Sequence, residues 1–324
     1  PAIAAAALCG GALSPTAGAR FGAGEVVRGV IGCNPKVIGC DSSPRSPRIW
    51  GCIYSSRRVW ELGSMVKKLL WLLGALLVGL SGAVLALWLI YFAPLLPLDP
   101  SAKLPHASIV VESFTSSWLV DTGEGTFFLI DAGMDPDAKP ILEALRRRGK
   151  TADDVVAILL THGHGDHVGG AGAFPNATVY LHPADWDLAA GRVRSKALLS
   201  GLRRVKPGVQ ATAPLEDGQI LRFGERRVRV FHTPGHTPGH CVFLLDGVLF
   251  LGDSGFLTRD GALVPPPDLI TDDPAQAIAS LKRLAKRLSS GGSETNGTEV
   301  KALVPAHTGL KEDPEPLFRW AEEP

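Results

Sequence analysis

The chain has 324 residues and a formal net charge of +1, which excludes a global electrostatic attraction to nucleic acid or to acidic partners. Its mean hydropathy of +0.15 is high for a soluble enzyme, and one long apolar run accounts for much of that value. The part after this run, from about residue 100 to 324, is large enough for a single domain with a hydrophobic core.

Residues 1–64 differ in composition from the rest of the chain. They are rich in glycine and proline, show no sustained periodicity, and contain four of the five cysteines, at spacings that do not fit a usual zinc site: Cys9, Cys33, Cys40 and Cys52. Met65 is followed by Val-Lys-Lys and then by the apolar run, which is how membrane anchors commonly start. We therefore expect residues 1–64 to be a non-native or disordered extension. A cytoplasmic tail with reducible thiols is the alternative.

The apolar run predicts a single transmembrane anchor over residues 65–98. No charged residue occurs from Leu69 to Leu98, and residues 69–93 alone would form a helix of about 37 Å, longer than the hydrocarbon core of roughly 30 Å. A buried core helix is disfavoured, because such helices rarely continue so far without a charge. Lys67 and Lys68 precede the run, so the positive-inside rule predicts a cytoplasmic amino end and an extracytoplasmic domain over residues 99–324.

Residues 99–324 predict an α/β fold. Apolar and β-branched runs predict strands at residues 109–113, 118–120, 126–131, 154–160, 177–181, 228–231, 241–245, 248–251 and 300–304. Asp246-Gly247 predicts a two-residue hairpin turn. Helices are predicted over residues 135–148 and from Asp273-Pro274 onward. No strand–helix repeat suits a single parallel sheet, so we expect two sheets between layers of helices.

Residues 161–167 carry the strongest chemical signal of the chain. They read Thr-His-Gly-His-Gly-Asp-His and place four potential metal ligands within six residues: His162, His164, Asp166 and His167. Imidazole and carboxylate groups suit zinc and similar divalent ions. A histidine-rich surface loop would be the alternative, but the chain has only nine histidines, so four ligands this close are rarely accidental.

Three more candidate ligands each follow a strand-like run. His236 lies in Thr-Pro-Gly-His-Thr-Pro-Gly-His, Asp253 in Phe-Leu-Gly-Asp-Ser, and His307 in Val-Pro-Ala-His-Thr-Gly. Together the segments offer five histidines and two aspartates. Seven ligands exceed the needs of one tetrahedral zinc ion and suit two ions that share a bridging carboxylate.

The order His-x-His-x-Asp-His, then His, Asp and His, from about residue 107 to 310, resembles the metallo-β-lactamase superfamily. The resemblance implies a four-layer αββα sandwich. It also implies two zinc ions per chain, with iron or manganese as alternatives. The implied ligands are His162, His164 and His236 for the first ion, Asp166, His167 and His307 for the second, and Asp253 as the bridge. Asp131, in Phe-Phe-Leu-Ile-Asp-Ala-Gly, would orient ligands without binding metal.

Details of the motifs narrow the branch of the family. Asp253 is unlike true β-lactamases, which typically lack a bridging aspartate, and His164 stands where di-iron flavoprotein relatives usually have a carboxylate. The repeated Thr-Pro-Gly-His resembles the glyoxalase II, lactonase and thioesterase-like group. The implied reaction is attack of a hydroxide, held by the two ions that Asp253 would bridge, on an ester, thioester, lactone or similar bond of a small substrate. Asp166 would orient the nucleophile or carry a proton to the leaving group.

Alternatives stay open for the function and for one variable segment. A mononuclear-iron enzyme resembling persulfide dioxygenases would share much of the ligand set, and β-lactamase or phosphodiesterase activity occurs on the same fold. A non-catalytic binding module is disfavoured because all seven ligands are present.

Residues 191–208 contain six basic side chains and no acid, and favour a solvated helix face over a basic lid that attracts anionic substrates or lipid headgroups. His182, His232 and His240 are interpreted as structural or ligand-orienting, and the sequence leaves the oligomeric state open.

Overall fold

The computed structural model describes residues 50–202, 208–289 and 298–322, with side chains from Gly63 onward. The chain divides into two compact units, Pro1–Leu72 and Leu73–Pro324, and the boundary falls inside the first helix. Most of the expected extension at residues 1–64 lies outside the described residues. The helix itself, α1, spans Trp50–Tyr91 and so begins well before Met65.

Helix α1 is apolar over most of its length. Its Gly63–Tyr91 part has 29 residues and a mean hydropathy of 2.3, and none of its most apolar window is buried. By length and composition it could cross a membrane. The helix ends three residues before Pro94, as expected where a proline removes a backbone donor.

The chain after α1 is tied to the globular domain within a few residues. Leu96 donates its N–H to the carbonyl of Leu257 (2.8 Å), and its own carbonyl accepts from the N–H of Gly309 (3.0 Å). Arg259 donates its N–H to the carbonyl of Pro94 (2.8 Å). We call residues 92–98 the linker. The middle of the linker is therefore hydrogen-bonded into the globular domain, although its hydropathy placed it in the predicted anchor over residues 65–98.

The globular domain contains two mixed sheets. The first has seven strands in sequential order: β1 (Lys103–Leu104), β2 (Ala107–Glu112), β3 (Thr115–Asp121), β4 (Phe127–Ile130), β5 (Val155–Leu159), β6 (Thr178–Leu181) and β7 (Ala213–Pro214). The order in the second is β14 (Ala302–Pro305), β11 (Val248–Gly252), β10 (Cys241–Leu245), β9 (Arg226–His232) and β8 (Ile220–Phe223). A separate short pair joins β12 (Phe256–Leu257) to β13 (Leu263–Val264). The expectation of two sheets is confirmed.

Alternating side chains on each strand build the layers. Phe128 packs in a core shared by both sheets, with Phe243 and Phe250 from the second sheet, whereas its neighbour Leu129 packs in a different cluster. That outer cluster includes α2 (Lys139–Arg146) through Ile141. A third cluster packs α5 (Pro274–Ser289) and α6 (Glu315–Glu322) against the second sheet. The clusters stack as helices, sheet, sheet and helices, which agrees with the predicted αββα layering.

Several predicted elements differ in detail. The helix predicted over residues 135–148 is shorter, because Asp135 accepts hydrogen bonds from the N–H groups of Asp137 and Lys139 and Ala138 adopts a positive φ of 48°. The basic segment is described at residues 191–202 and at Gly208. Residues 191–202 form an irregular loop with one 3₁₀ turn at Ser200–Leu202, so the predicted helix face is wrong there. The hairpin turn at Asp246-Gly247 is confirmed, with φ of 50° and 85° as a type I′ turn requires.

Candidate metal centre

The candidate ligands all follow the carboxyl ends of strands. The 161–167 motif follows β5 and leads into the one-turn helix α3 (Gly165–Val168), Asp253 follows β11, and His307 follows β14. His236 lies in the loop between β9 and β10. Because β4 and β5 are parallel, as are β11 and β14, these ends meet at one edge of the two sheets. The structure brings all seven side chains into one cluster.

The first half of the centre contains His162, His164 and His236. His164 Nδ1 lies 3.0 Å from His162 Nε2 and 3.0 Å from His236 Nε2. Burial is the largest effect on His162 and His236 and lowers the pKa of both well below the usual value, so both rings are neutral. Three converging neutral imidazoles are the form in which histidine binds metal.

The second half contains Asp166, His167 and His307. His307 Nε2 lies 3.3 Å from His167 Nε2 and 3.4 Å from Asp166 Oδ2. Burial lowers the pKa of His167, but Asp253, Asp131 and Asp166 outweigh it and raise that pKa to about 10. This half of the centre therefore has a negative potential that stabilises a bound cation.

Asp253 lies between the two halves. Its Oδ2 is 3.3 Å from His236 Nε2 and 3.1 Å from His307 Nε2, and its Oδ1 is 3.5 Å from His167 Nε2. Burial raises its pKa, but His307, His167 and His236 outweigh burial and hold the pKa well below the usual range. A buried carboxylate in contact with both halves is placed to bridge two cations.

Two buried polar atoms test whether a metal fits the centre. Among the described residues, Asp253 Oδ1 and His164 Nε2 are buried without a hydrogen-bond partner. A buried acceptor without a partner costs about 1–3 kcal/mol, and a bound cation would supply a partner for the Asp253 oxygen. Together with the convergent histidine and aspartate donors, this shows that the residues fit a divalent metal centre.

Asp131, which directly follows β4, supports one candidate ligand. Its Oδ2 lies 2.9 Å from His167 Nδ1, and its Oδ1 accepts the N–H of Thr161 at 2.8 Å. The residue is buried and has a φ of 57°, which turns its carboxylate back toward the cluster. With Nδ1 donating to Asp131, the Nε2 lone pair of His167 faces the centre, as ligation requires.

His240 holds Asp253 in place through its backbone. The N–H of Asp253 donates to His240 Nε2 at 3.0 Å, so the proton of the ring belongs on Nδ1, which faces the hydroxyl of Thr233 at 2.9 Å. Burial lowers the pKa of His240 to about 3 and keeps the ring neutral. His182 and His232 lie outside the cluster, stacked on each other with centroids 3.9 Å apart.

Asp185 is a site residue that the sequence reasoning missed. It is fully buried and accepts three hydrogen bonds, from Gly163 N–H (2.9 Å), Gly239 N–H (2.7 Å) and the Thr237 hydroxyl (2.5 Å). It therefore joins the loop of His162 to the loop of His236. An aspartate at the start of a short helix is usually interpreted as a cap, so the local sequence offers no signal for this role.

Comparison with known proteins supports the assignment of the fold. The family model of the metallo-beta-lactamase superfamily matches residues 110–289. A hydroxyacylglutathione hydrolase of Photobacterium profundum is 35% identical over 173 residues, which cover 52% of this chain and 55% of that protein. Another, from Gloeobacter violaceus, is 40% identical over 139 residues, covering 41% of this chain and 46% of that protein. This chain thus spans about half the length of these curated relatives.

A solved structure agrees with the sequence comparisons. A metallo-beta-lactamase family protein of Thermus thermophilus aligns with a TM-score of 0.50 and 26% identity, over 68% of this chain and 78% of that chain. The two curated relatives are named hydroxyacylglutathione hydrolases, also called glyoxalase II. This agrees with the resemblance to the glyoxalase II group that the repeated Thr-Pro-Gly-His predicted. Because the family match spans more than half of its residues, the chain belongs to the metallo-β-lactamase superfamily.

Proposed function

We propose that this protein is a membrane-anchored hydrolase that uses two zinc ions to cleave an ester, thioester or lactone bond of a small acyl substrate. The observation that carries the proposal is the position of Asp253, whose carboxylate contacts His236 in one half of the centre and His307 in the other. A single ion would not need a shared carboxylate at that place. The names of the relatives support a thioester among the candidates.

The ligand assignment follows the two halves. His162, His164 and His236 would hold one ion, Asp166, His167 and His307 the other, and Asp253 would contact both. When bound, the two ions would supply a hydroxide nucleophile at neutral pH and polarise the substrate carbonyl.

The protein groups orient the reactants and move the proton. Asp166 is the more exposed of the two catalytic carboxylates, with a side chain 25% exposed against 3% for Asp253. Its carboxylate can accept the proton of the attacking water and deliver it to the leaving oxygen or sulfur. Asp253 holds its place through the hydrogen bond from its own N–H to His240.

The proposed membrane location rests on α1. Its Gly63–Tyr91 part is long and apolar enough to span a bilayer. We propose residues 65–98 as the anchor region and residues 99–324 as the hydrolase domain, outside the cytoplasm because of Lys67 and Lys68. Protease accessibility of the hydrolase domain in intact cells and in everted vesicles would test this orientation.

Metal content and activity measured together test the reaction. The full chain should bind two zinc ions and hydrolyse at least one member of a panel of a p-nitrophenyl ester, a hydroxyacylglutathione thioester and a lactone. Replacement of His164 or Asp253 by alanine should lower both the bound zinc and the rate. Asp137→Ala, a change of a carboxylate with a 69% exposed side chain, is the control and should alter neither. Full activity of the metal-free Asp253→Ala protein would refute the proposal.

A further inference from the structure

A cluster of exposed apolar side chains lies on the loop that replaces the predicted basic helix. Val193, Leu198, Leu199 and Leu202 are 45%, 67%, 46% and 66% exposed, and we call these four residues the apolar lip. Single exposed leucines are ordinary, whereas four large apolar side chains exposed within ten residues of one loop make that loop a candidate surface for an apolar partner. Arg194 and Lys196 lie between them in the sequence. Apolar side chains interleaved with basic ones are typical of surfaces that contact membranes.

The lip is held by the same segment that holds His236. Asp272 Oδ1 accepts hydrogen bonds from the N–H groups of Lys196 (2.7 Å) and Ala197 (3.0 Å), and the N–H of Asp272 donates to the carbonyl of His236 (3.1 Å). The hydroxyl of the preceding residue, Thr271, lies 3.4 Å from His236 Nδ1. One short segment therefore fixes both a metal ligand and the base of the lip.

A second apolar group borders the other half of the centre. Phe114 is 54% exposed, and its ring stacks on the ring of His307 with centroids 5.6 Å apart. His307 Nδ1 donates to the carbonyl of Phe114 at 2.7 Å, so the aromatic side chain is fixed beside the ligand. Apolar surface is thus attached to a ligand of each half.

The linker brings the end of α1 close to the same ligands. The carbonyl of Leu96 accepts from Gly309, two residues after His307, and the N–H of Leu96 pairs with Leu257. Because an extended residue spans at most about 3.6 Å, His307 lies within about 30 Å of Tyr91, the last residue of α1. With α1 as the proposed anchor, the membrane boundary at its carboxyl end would lie within about that distance of the centre.

We propose that the substrate is a membrane amphiphile, a long-chain acyl ester or thioester whose acyl chain lies on the apolar lip and on Phe114. The inference rests on the proposed hydrolase function and names its substrate class. Water adds across the acyl bond: the acyl carbon gains a hydroxyl, the carbon–oxygen or carbon–sulfur bond breaks, and the proton goes to the leaving alcohol or thiol. A fatty acid is one product.

A chain-length series tests the proposal on the zinc-loaded full chain in phosphatidylcholine vesicles. We expect kcat/KM for p-nitrophenyl decanoate to exceed that for p-nitrophenyl acetate. The double variant Leu198→Ser/Leu202→Ser should lower the decanoate-to-acetate ratio about tenfold, because two leucines no longer cover the acyl chain. The matched control is Ile220→Ser, which makes the same kind of change at a 38% exposed residue on the outermost strand β8 and should keep the ratio of the wild type.

The outcomes distinguish failure of the acyl-chain inference from failure of the proposed hydrolase function. Equal rates on acetate and decanoate in the wild type, or an unchanged ratio in the double variant, would overturn the acyl-chain inference and leave the hydrolase function standing. Two bound zinc ions with no hydrolysis of either ester or of a thioester would overturn both. The wild-type series needs no variant, so it decides the matter even if the double variant does not fold.

Discussion

The hydrogen bond between Asp131 and His167 makes a sharp test of how the centre is held. Asp131→Asn keeps the size of the side chain, and asparagine tolerates the positive φ of 57° at this position. Besides the Thr161 hydroxyl, which can rotate to donate or accept, the carboxylate faces two donors that cannot change role in this way, His167 Nδ1–H and Thr161 N–H. An amide has one oxygen and one NH₂ group, so one of these two donors must then face another donor.

The size of the effect follows from that conflict. If the NH₂ group faces His167, the ring must carry its proton on Nε2, which then cannot bind metal. If the NH₂ group faces Thr161, a buried N–H loses its acceptor, at a cost of about 1–3 kcal/mol. We expect zinc affinity to fall by about 10- to 100-fold, the usual loss when the hydrogen-bond partner of a metal ligand is removed.

Competition with a chromogenic chelator would measure that affinity on the full chain. Asp137→Asn, the same chemical change at an exposed side chain, is the control and should bind zinc as the wild type does. A folded Asp131→Asn protein with unchanged zinc affinity would show that the contact does not orient His167.

Four further predictions follow from the structure. Excess chelator should lower the thermal midpoint, since a metal at 100 times its Kd stabilises the folded state by about 2.7 kcal/mol; an unchanged midpoint would contradict the metal centre. Asp185→Asn should cost about 1–3 kcal/mol in chemical denaturation, because an amide cannot accept all three hydrogen bonds, and wild-type stability would refute this role. Gly235→Ala should lower folded yield and bound zinc, because Gly235 has a φ of 142° and a Cβ there would overlap the backbone of Ala277; a normal zinc content would contradict it. Burial, and then the nearby His232, lowers the pKa of His182 in the folded chain to about 4. The unfolded chain therefore takes up this proton first as the pH falls, and the folded state loses stability between about pH 6.5 and pH 4. His182→Asn should reduce that loss. A pH profile equal to that of the wild type would count against this last effect.

The ligands could be predicted because each one is marked by its neighbours in the chain. His162 and His164 share a short motif, and the strands before Asp253 and His307 are continuous apolar runs. Asp185 could not be found in this way, since its three partners lie 22, 52 and 54 residues away. Long-range contacts of this kind depend on the fold and leave no local pattern.

Some local structure also could not be predicted from the sequence. Strand β8 was missed because its side chains alternate only between exposed and half-buried, and it includes Arg222. The positive φ of Ala138, an unusual conformation for alanine, delays the start of α2 and has no counterpart in composition or spacing. The charges of residues 191–208 predicted a helix. Asp272 instead accepts hydrogen bonds from the N–H groups of Lys196 and Ala197 and holds this part of the segment as a loop.

The linker hydrogen bonds have a practical consequence for preparing the globular domain without α1. Truncation at residue 98, where the apolar run ends, would remove Leu96 and leave the carbonyl of Leu257 and the N–H of Gly309 without their partners. A shortened chain that begins at Phe92 would keep both bonds. The same continuity would couple the proposed membrane attachment to the metal centre, because a pull on α1 would be transmitted through Leu96 to the backbone two residues from His307.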